Sequence, residues 1–173
     1  MDRNLARTMA ALTTGIYVLT VRENERCHGM SSSWVAPASG RQPLISVAVD
    51  MNHFTRGAIE RTKAFGLNIV GRRGRALEDY FYSKRARRPD NLDEIEYEPS
   101  PKLGVPWLRL AMAAIEVRVT SAYSAGDHMI FIGDPVGVRR AGRADKRLAG
   151  DRPLTSLDLE YVYLGAGRLY RRD

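Results

Sequence analysis

"AAIEVRVTSAYSAGDHMIFIGDPVGV", residues 113–138, decides how this chain folds. Ile115, Val117 and Val119 alternate with Glu116, Arg118 and Thr120, the period-two pattern of a half-buried strand over 113–123. A second apolar run follows at 128–138. Only residues 124–127 separate the two, and Gly126 and Asp127 are residue types that close tight turns. The stretch reads as an antiparallel hairpin with Gly126, Asp127 and His128 at its tip.

Upstream, Leu5, Met9 and Leu12 recur at helical spacing and predict an amphipathic helix over 2–12. "IYVLTV" (16–21) predicts a strand, and "RENER" (22–26) a hairpin connection into "CHGMSSSWV" (27–35). A loop marked by Pro37, Gly40 and Pro43 leads into a buried strand, "LISVAV" (44–49). "DMNHFT" breaks the pattern, and Thr55 is placed to cap a short helix through "RGAIERT". "AFGLNIV" (64–70) reads as a strand and "RALEDYFYS" (75–83) as a helix, with Leu77, Tyr80 and Phe81 on one side. From Lys84 to Trp107 the chain is charged and broken by Pro89, Pro99, Pro101, Gly104 and Pro106, which predicts a surface excursion. A last strand is expected within "LEYVYLGAGRLY" (159–170). Strands outnumber helices and hairpin spacings dominate. The expected fold is mainly β, an antiparallel β-barrel with attached helices, as a single domain over 1–173.

The 173 residues carry 27 Lys and Arg against 20 Asp and Glu, a net charge of +7 that favours anionic ligands. Two basic stretches, "SKRARRPD" (83–90) and "RRAGRADKR" (139–147), contribute much of it, and solvated loops are the commoner explanation of such runs. No nucleic-acid-binding signature accompanies them, so no nucleic acid partner is expected. No apolar run is long enough to cross a bilayer, and the N-terminus lacks the pattern of a secretory signal. The expectation is a cytoplasmic protein with no membrane partner. The single Cys27 excludes an internal disulfide, and His28, His53 and His128 are too scattered to suggest metal-ligand spacing.

Three constellations remain. Residues 28–40, "HGMSSSWVAPASG", set Met30, Ser31, Ser32 and Ser33 beside Trp34: hydroxyl and backbone donors next to an aromatic wall, which suits a planar ligand bearing phosphate. A serine-rich strand end explains the same residues as well. In "DMNHFTRG", Asn52, Thr55 and Arg56 precede a helix whose first amides attract anions, although an ordinary capped helix start needs no ligand. At the hairpin tip, Asp127 either fixes the tautomer of His128 or closes the turn. "GAGRLY" (165–170) lacks the third glycine of a dinucleotide fingerprint and reads as a strand bend.

In this order the segments resemble the flavin reductase-like family of FMN-binding split β-barrels. "TTGIYVLT" (13–20) is similar to the family's opening strand. Gly29-Met30-Ser31-Ser32-Ser33-Trp34, then Ser39 and Pro43, follow its next segment. Thr55 matches the threonine ahead of a short helix, "AFGLNIV" with Asn68 matches "FxVNxL", and "GDHMIFIGDPV" matches the Gly-Asp-His segment. Pro135 departs from the family's usual acidic or small residue. The resemblance implies an FMN-binding split barrel of Greek-key antiparallel topology, and a homodimer with each FMN, or FAD, near the subunit interface. It implies that Met30, Ser31, Ser32, Ser33 and Trp34 border the isoalloxazine and ribityl chain, and that Asn52, Thr55 and Arg56 hold the phosphate. Gly126, Asp127 and His128 would meet the nicotinamide of NADH or NADPH, with His128 the residue closest to catalysis and hydride passing from nicotinamide C4 to flavin N5. The activity implied is that of an NAD(P)H-dependent flavin reductase, with a monooxygenase among its electron acceptors. A flavoredoxin-like FMN carrier reduced by another protein, and an anion- or nucleic-acid-binding module using the arginine stretches, are the alternatives.

Overall fold

The computed structural model describes residues 2–140, 148–159, 161–163 and 169–171. In chain order the elements are α1 (Arg3–Ala10), β1 (Tyr17–Glu23), β2 (Arg26–Ser32), β3 (Val35–Ser39), β4 (Leu44–Asp50), α2 (Phe54–Thr62), β5 (Ala64–Ile69) and α3 (Arg75–Tyr82). Then come β6 (Tyr97–Pro99), β7 (Pro106–Leu108), β8 (Ala113–Ala125), β9 (His128–Arg140), β10 (Tyr161–Tyr163) and β11 (Leu169–Arg171). β10 and β11 pair with each other, where the last strand was expected. Residues 141–147 of the second basic stretch, and most of "GAGRLY", lie outside the described residues.

The hairpin is formed. β8 and β9 pair antiparallel, with Ala125 opposite His128 and only Gly126 and Asp127 between them. Gly126 has φ +61°, the positive value that a two-residue hairpin turn of type II′ requires of its first central residue. Around this pair stands one seven-stranded sheet in the order β2-β1-β5-β8-β9-β4-β3, antiparallel throughout.

That order imposes a shape. β2 and β3 are the two edges of the sheet, yet only Ser33 and Trp34 join them. Laid flat, six strand spacings would separate the edges by about 29 Å. The three steps from Ser32 to Val35 reach at most about 11 Å. The sheet must therefore curl until its edges converge at Ser33-Trp34. Among the described residues no ladder joins β2 to β3, so hydrogen bonds do not close it. The core agrees: Leu19 and Val21 of β1 share one buried cluster with Val47 and Val49 of β4, Phe65 of β5, Val117 of β8 and Phe131 of β9, and Ile59 of α2 joins it. A second cluster on the outer face gathers Ile16, Val18, Cys27, Leu77, Leu92 and Leu108.

Four expectations need correction. α1 buries Ala6, with Met9 and Ala10 beside it, while Leu5 and Leu12 are 52% and 66% exposed. The small alanines at i and i+4 make the closer packing face. Pro37 lies inside β3 rather than in a loop, which its place on an edge strand permits. Glu116 is fully buried rather than solvated: it keeps the face opposite Ile115, Val117 and Val119, and the backbone at residues 102–103 covers it there. Its Oε2 accepts from Leu103 N (2.8 Å) and Lys102 N (3.1 Å). The segment from Lys84 to Trp107 is only in part a surface excursion: most of its residues are exposed, but Asn91, Leu92, Val105 and Trp107 are buried and pin it down.

Asn68 explains how that segment is held. Its Nδ2 donates to Val18 O (3.2 Å), and its Oδ1 accepts from Leu108 N (2.8 Å). Thr20 Oγ1 donates to Pro106 O (2.6 Å). A Cβ at residue 66 would lie 2.9 Å from that same Pro106 carbonyl, so β7 can approach only a glycine. Among the described residues no helix is long and apolar enough to cross a membrane.

Replacing Asn68 by Ala strands the buried Leu108 N–H. The expected loss is about 2–3 kcal/mol, from the cost of an unsatisfied buried donor. At this chain length that lowers Tm by roughly 5–10 °C in a calorimetric scan. An unchanged Tm would contradict the anchoring role.

Candidate functional site

The two-residue join that curls the sheet also builds its main cleft. Trp34 N–H donates to Ser32 Oγ (3.2 Å) and Ala48 N–H donates to Trp34 O (2.9 Å), so the indole leaves the corner in a fixed direction. It lies flat against the ring of His128, with centroids 4.4 Å apart and planes 16° from parallel. His128 opens β9, opposite Asp50 of β4. Its Nδ1 meets Asp127 Oδ1 at 2.6 Å. Asp127 therefore both follows the turn glycine and orients the imidazole. Its carboxyl is held below the ordinary range, first by that hydrogen bond and then by the charge of His128. With Nδ1 donating to a carboxylate, the Nε2 of a neutral His128 is left as an acceptor.

Two cavities share this wall. One, of about 410 Å³, is lined by Met30, Ser31, Ser32, Ser33 and Trp34 together with Asp50, His53, Arg87 and His128. The other, of about 390 Å³, lies against the same serines and Trp34 but is closed by apolar side chains, among them Met9, Leu12, Ile16, Val35 and Ile130. Both volumes fall in the range of small-molecule sites. The three serines are not equivalent. Ser31 donates to the buried carboxylate of Glu78 in a short hydrogen bond, and Ser32 accepts from Trp34. Ser33 alone has a hydroxyl with no partner among the described residues.

The structure divides the residues anticipated from sequence. Met30, Ser31, Ser32, Ser33, Trp34 and His128 line one cavity, with Asp127 behind His128. Gly126 sits in the exposed turn. Asn52, Thr55 and Arg56 do not line either cavity. Asn52 is exposed, its N–H donating to Asp50 Oδ1 (2.7 Å). Arg56 donates to Met51 O (3.0 Å) and pairs with Glu60 (2.6 Å). Thr55 is fully buried with its hydroxyl unpartnered. Nor does Thr55 cap the helix: His53 is the N-cap, its Nδ1 accepting from Thr55 N–H (3.2 Å).

Several contributors were invisible in the sequence. Asn91, fully buried, acts as a surrogate strand against the open edge of β2. Its Oδ1 accepts from Gly29 N (2.8 Å), and its Nδ2 donates to Gly29 O (2.8 Å) and Ala86 O (2.9 Å). The histidines that looked scattered converge: the rings of His28 and His53 are 5.7 Å apart. His28 Nδ1 contacts Arg88 O at 3.1 Å, and its Nε2 is buried without a partner. Burial, followed by the neighbouring His53, pushes His28 down to about 4. Burial also lowers His53. Arg87 brings a cation to the cavity, and nothing local distinguishes it from the other arginines of 83–90.

Residues 9–164 match the family model described as "Flavin reductase like domain". An NADPH-flavin oxidoreductase of Streptomyces viridifaciens is 32% identical over 126 residues, covering 72% of this chain and 64% of that protein. The match thus spans less than two thirds of that relative's length. A homologue of nitrilotriacetate monooxygenase component B from Mycobacterium thermoresistibile superposes with a TM-score of 0.76 at 25% identity, covering 88% of this chain and 80% of the other. BorF, the flavin reductase component of a bacterial two-component tryptophan halogenase, gives a TM-score of 0.73 at 27% identity, covering 88% and 97%.

The depressed His28 has a signed consequence. Unfolded, it takes a proton near pH 6.5; folded, only near pH 4. Its contribution is complete above pH 6.5 and is lost as pH falls toward 4, amounting to about 3 kcal/mol at most. Urea titrations at pH 7 and pH 4.5 should show this loss. His28→Asn, which keeps a donor for Arg88 O, should flatten it; an equally steep profile in the variant would assign the loss elsewhere.

Proposed function

The chain belongs to the flavin reductase-like family, and from that premise we propose that it is an NAD(P)H-dependent flavin reductase binding FMN or FAD. The observation that carries the proposal is the shared wall: one flat stack of Trp34 on His128, flanked by two cavities large enough for planar ligands. The residues fit a flavin. Trp34 offers an aromatic face, Ser33 a free hydroxyl, and Met30 a polarisable apolar edge.

In this reading one domain over 1–173 forms a split barrel of Greek-key topology, for which the convergence of β2 and β3 is the support. A homodimer, with each flavin near the interface, is supported by the exposure of Leu12 at the rim of the apolar cavity. Bound flavin supplies the hydride acceptor, and NADH or NADPH the hydride. The protein supplies orientation and electrostatics. Asp127 sets the tautomer of His128, and the His128 Nε2 accepts a hydrogen bond from the nicotinamide carboxamide. The Gly126-Asp127 turn holds that imidazole at the cleft, and Trp34 excludes water from its face. The reductase components among the structural relatives support a monooxygenase or halogenase as the acceptor of the reduced flavin.

Anaerobic addition of NADH or NADPH to the protein with FMN should bleach the flavin spectrum. Bleaching only with a protein donor would make the chain an electron carrier instead. His128→Ala should raise the nicotinamide KM about tenfold, the weight of one lost hydrogen bond. Unchanged KM and unchanged stopped-flow reduction would remove His128 from the site.

A further inference from the structure

One buried ionisable group beside the cleft takes no part in the reaction described above: the carboxylate of Glu78, on α3, with 1% of the residue exposed. A carboxylate is costly to remove from water unless hydrogen bonds offset the loss. We propose that Glu78 is a positioning residue, which holds the Ser31 hydroxyl so that the Ser31 oxygen faces the cleft as an acceptor for a ligand N–H. This rests on the flavin reductase reading above.

The fold brings the two side chains together. Ser31 of β2 stands opposite Val18 of β1, and cross-strand partners share a face. Val18 packs in the outer cluster with Leu77 of α3, the residue before Glu78. Gly29 lies on the same face, two residues before Ser31. A Cβ there would be 2.7 Å from the Phe81 ring, so α3 rests directly on the end of β2. Ser31 Oγ–H donates to Glu78 Oε2 in a short hydrogen bond. A hydroxyl has one hydrogen, and with that hydrogen committed Ser31 offers a ligand only the lone pairs of its oxygen. Ser31 lines both cavities, so this acceptor stands on their shared wall. Its neighbour has the opposite polarity: Ser32 Oγ accepts from Trp34 N–H and keeps its own hydrogen to donate. At Ser31 a ligand carbonyl meets a second acceptor and is rejected, whereas an N–H is taken.

Two ligand groups carry such an N–H: the ring N3–H of the flavin and the carboxamide of the nicotinamide. Equilibrium dialysis of each ligand alone separates them, with FMN set against 3-methyl-FMN and NADH against its 3-acetylpyridine analogue. The unmodified protein should discriminate within one of these pairs about tenfold, the weight of one hydrogen bond. Glu78→Leu frees the Ser31 hydroxyl to turn and should cut that ratio severalfold. Glu78→Gln, whose carbonyl oxygen still accepts from Ser31, should retain it. Ser31→Ala should abolish the ratio, and adding Glu78→Leu to it should cost nothing further, because Glu78 acts through Ser31. No discrimination within either pair, or a ratio left intact by Ser31→Ala, would overturn the proposal however the Glu78 variants fold. So would an equal loss of all four ligands in Glu78→Leu, the mark of a merely structural role. Binding of FMN without its reduction by NADH or NADPH would instead defeat the functional reading, and the ratios, which need no turnover, would still decide the role of Glu78.

Discussion

Ser33 and Trp34 join strands that stand at opposite edges of a seven-stranded sheet, and most of the molecule follows from that short tether. A flat sheet would leave the edges far beyond its reach, so the sheet curls. Curling brings Val47 of β4 against Leu19 of β1 and gives the sheet an interior for Phe65 and Phe131. It also leaves β2 as an open edge, and the buried carboxamide of Asn91 meets the backbone of Gly29 there. The same tether puts Trp34 where β9 begins, which is why the indole reaches His128.

The cleft is consequently built from strand and helix ends and from the short join between β2 and β3. His128 is a strand residue beside a two-residue turn, Trp34 is fixed through both its backbone groups, and His53 is fixed by the helix it caps. In the proposed function such a site needs few reactive side chains, because a flavin would carry the chemistry while the protein sets positions. Most of the polar groups along the wall are committed to the fold. The Ser31 hydrogen serves Glu78 and the Ser32 oxygen serves Trp34, which leaves the Ser31 oxygen, Ser33, the His128 Nε2 and Arg87 to face a ligand.

The hairpin at 113–138 was legible because everything that makes it is local: alternation in two runs and a glycine in the turn. The order of motifs from the "TTGIYVLT" strand to Gly-Asp-His was likewise enough to identify the family. What failed depended on distant partners. Glu116 reads as a solvent-facing strand residue because the backbone that covers its carboxylate, at Lys102 and Leu103, comes from another segment. The charges of 84–107 mark its exposed part correctly, whereas the Asn68 and Thr20 groups that anchor its end at 106–108 come from β5 and β1. Residue preference alone points to Thr55 as the cap, whereas the imidazole of His53, two residues ahead of the Thr55 amide, takes the role. Arg87 differs from Arg85 and Arg88 only in lacking an acid, and that emerges only when Asp93 and Glu94 are folded against its neighbours.

The proposed function turns on flavin binding at the wall formed by Trp34 and His128. The chain has two tryptophans, and the other, Trp107, is buried in the core with an unpartnered indole nitrogen, so Trp107→Phe should be tolerated and leaves Trp34 as the sole indole. Titrating that protein with FMN under continuous fluorescence reads the wall directly. Saturable quenching of Trp34 with one FMN per chain is the expected result. Flavin binding that leaves the Trp34 emission unchanged, or no binding at all, would contradict it.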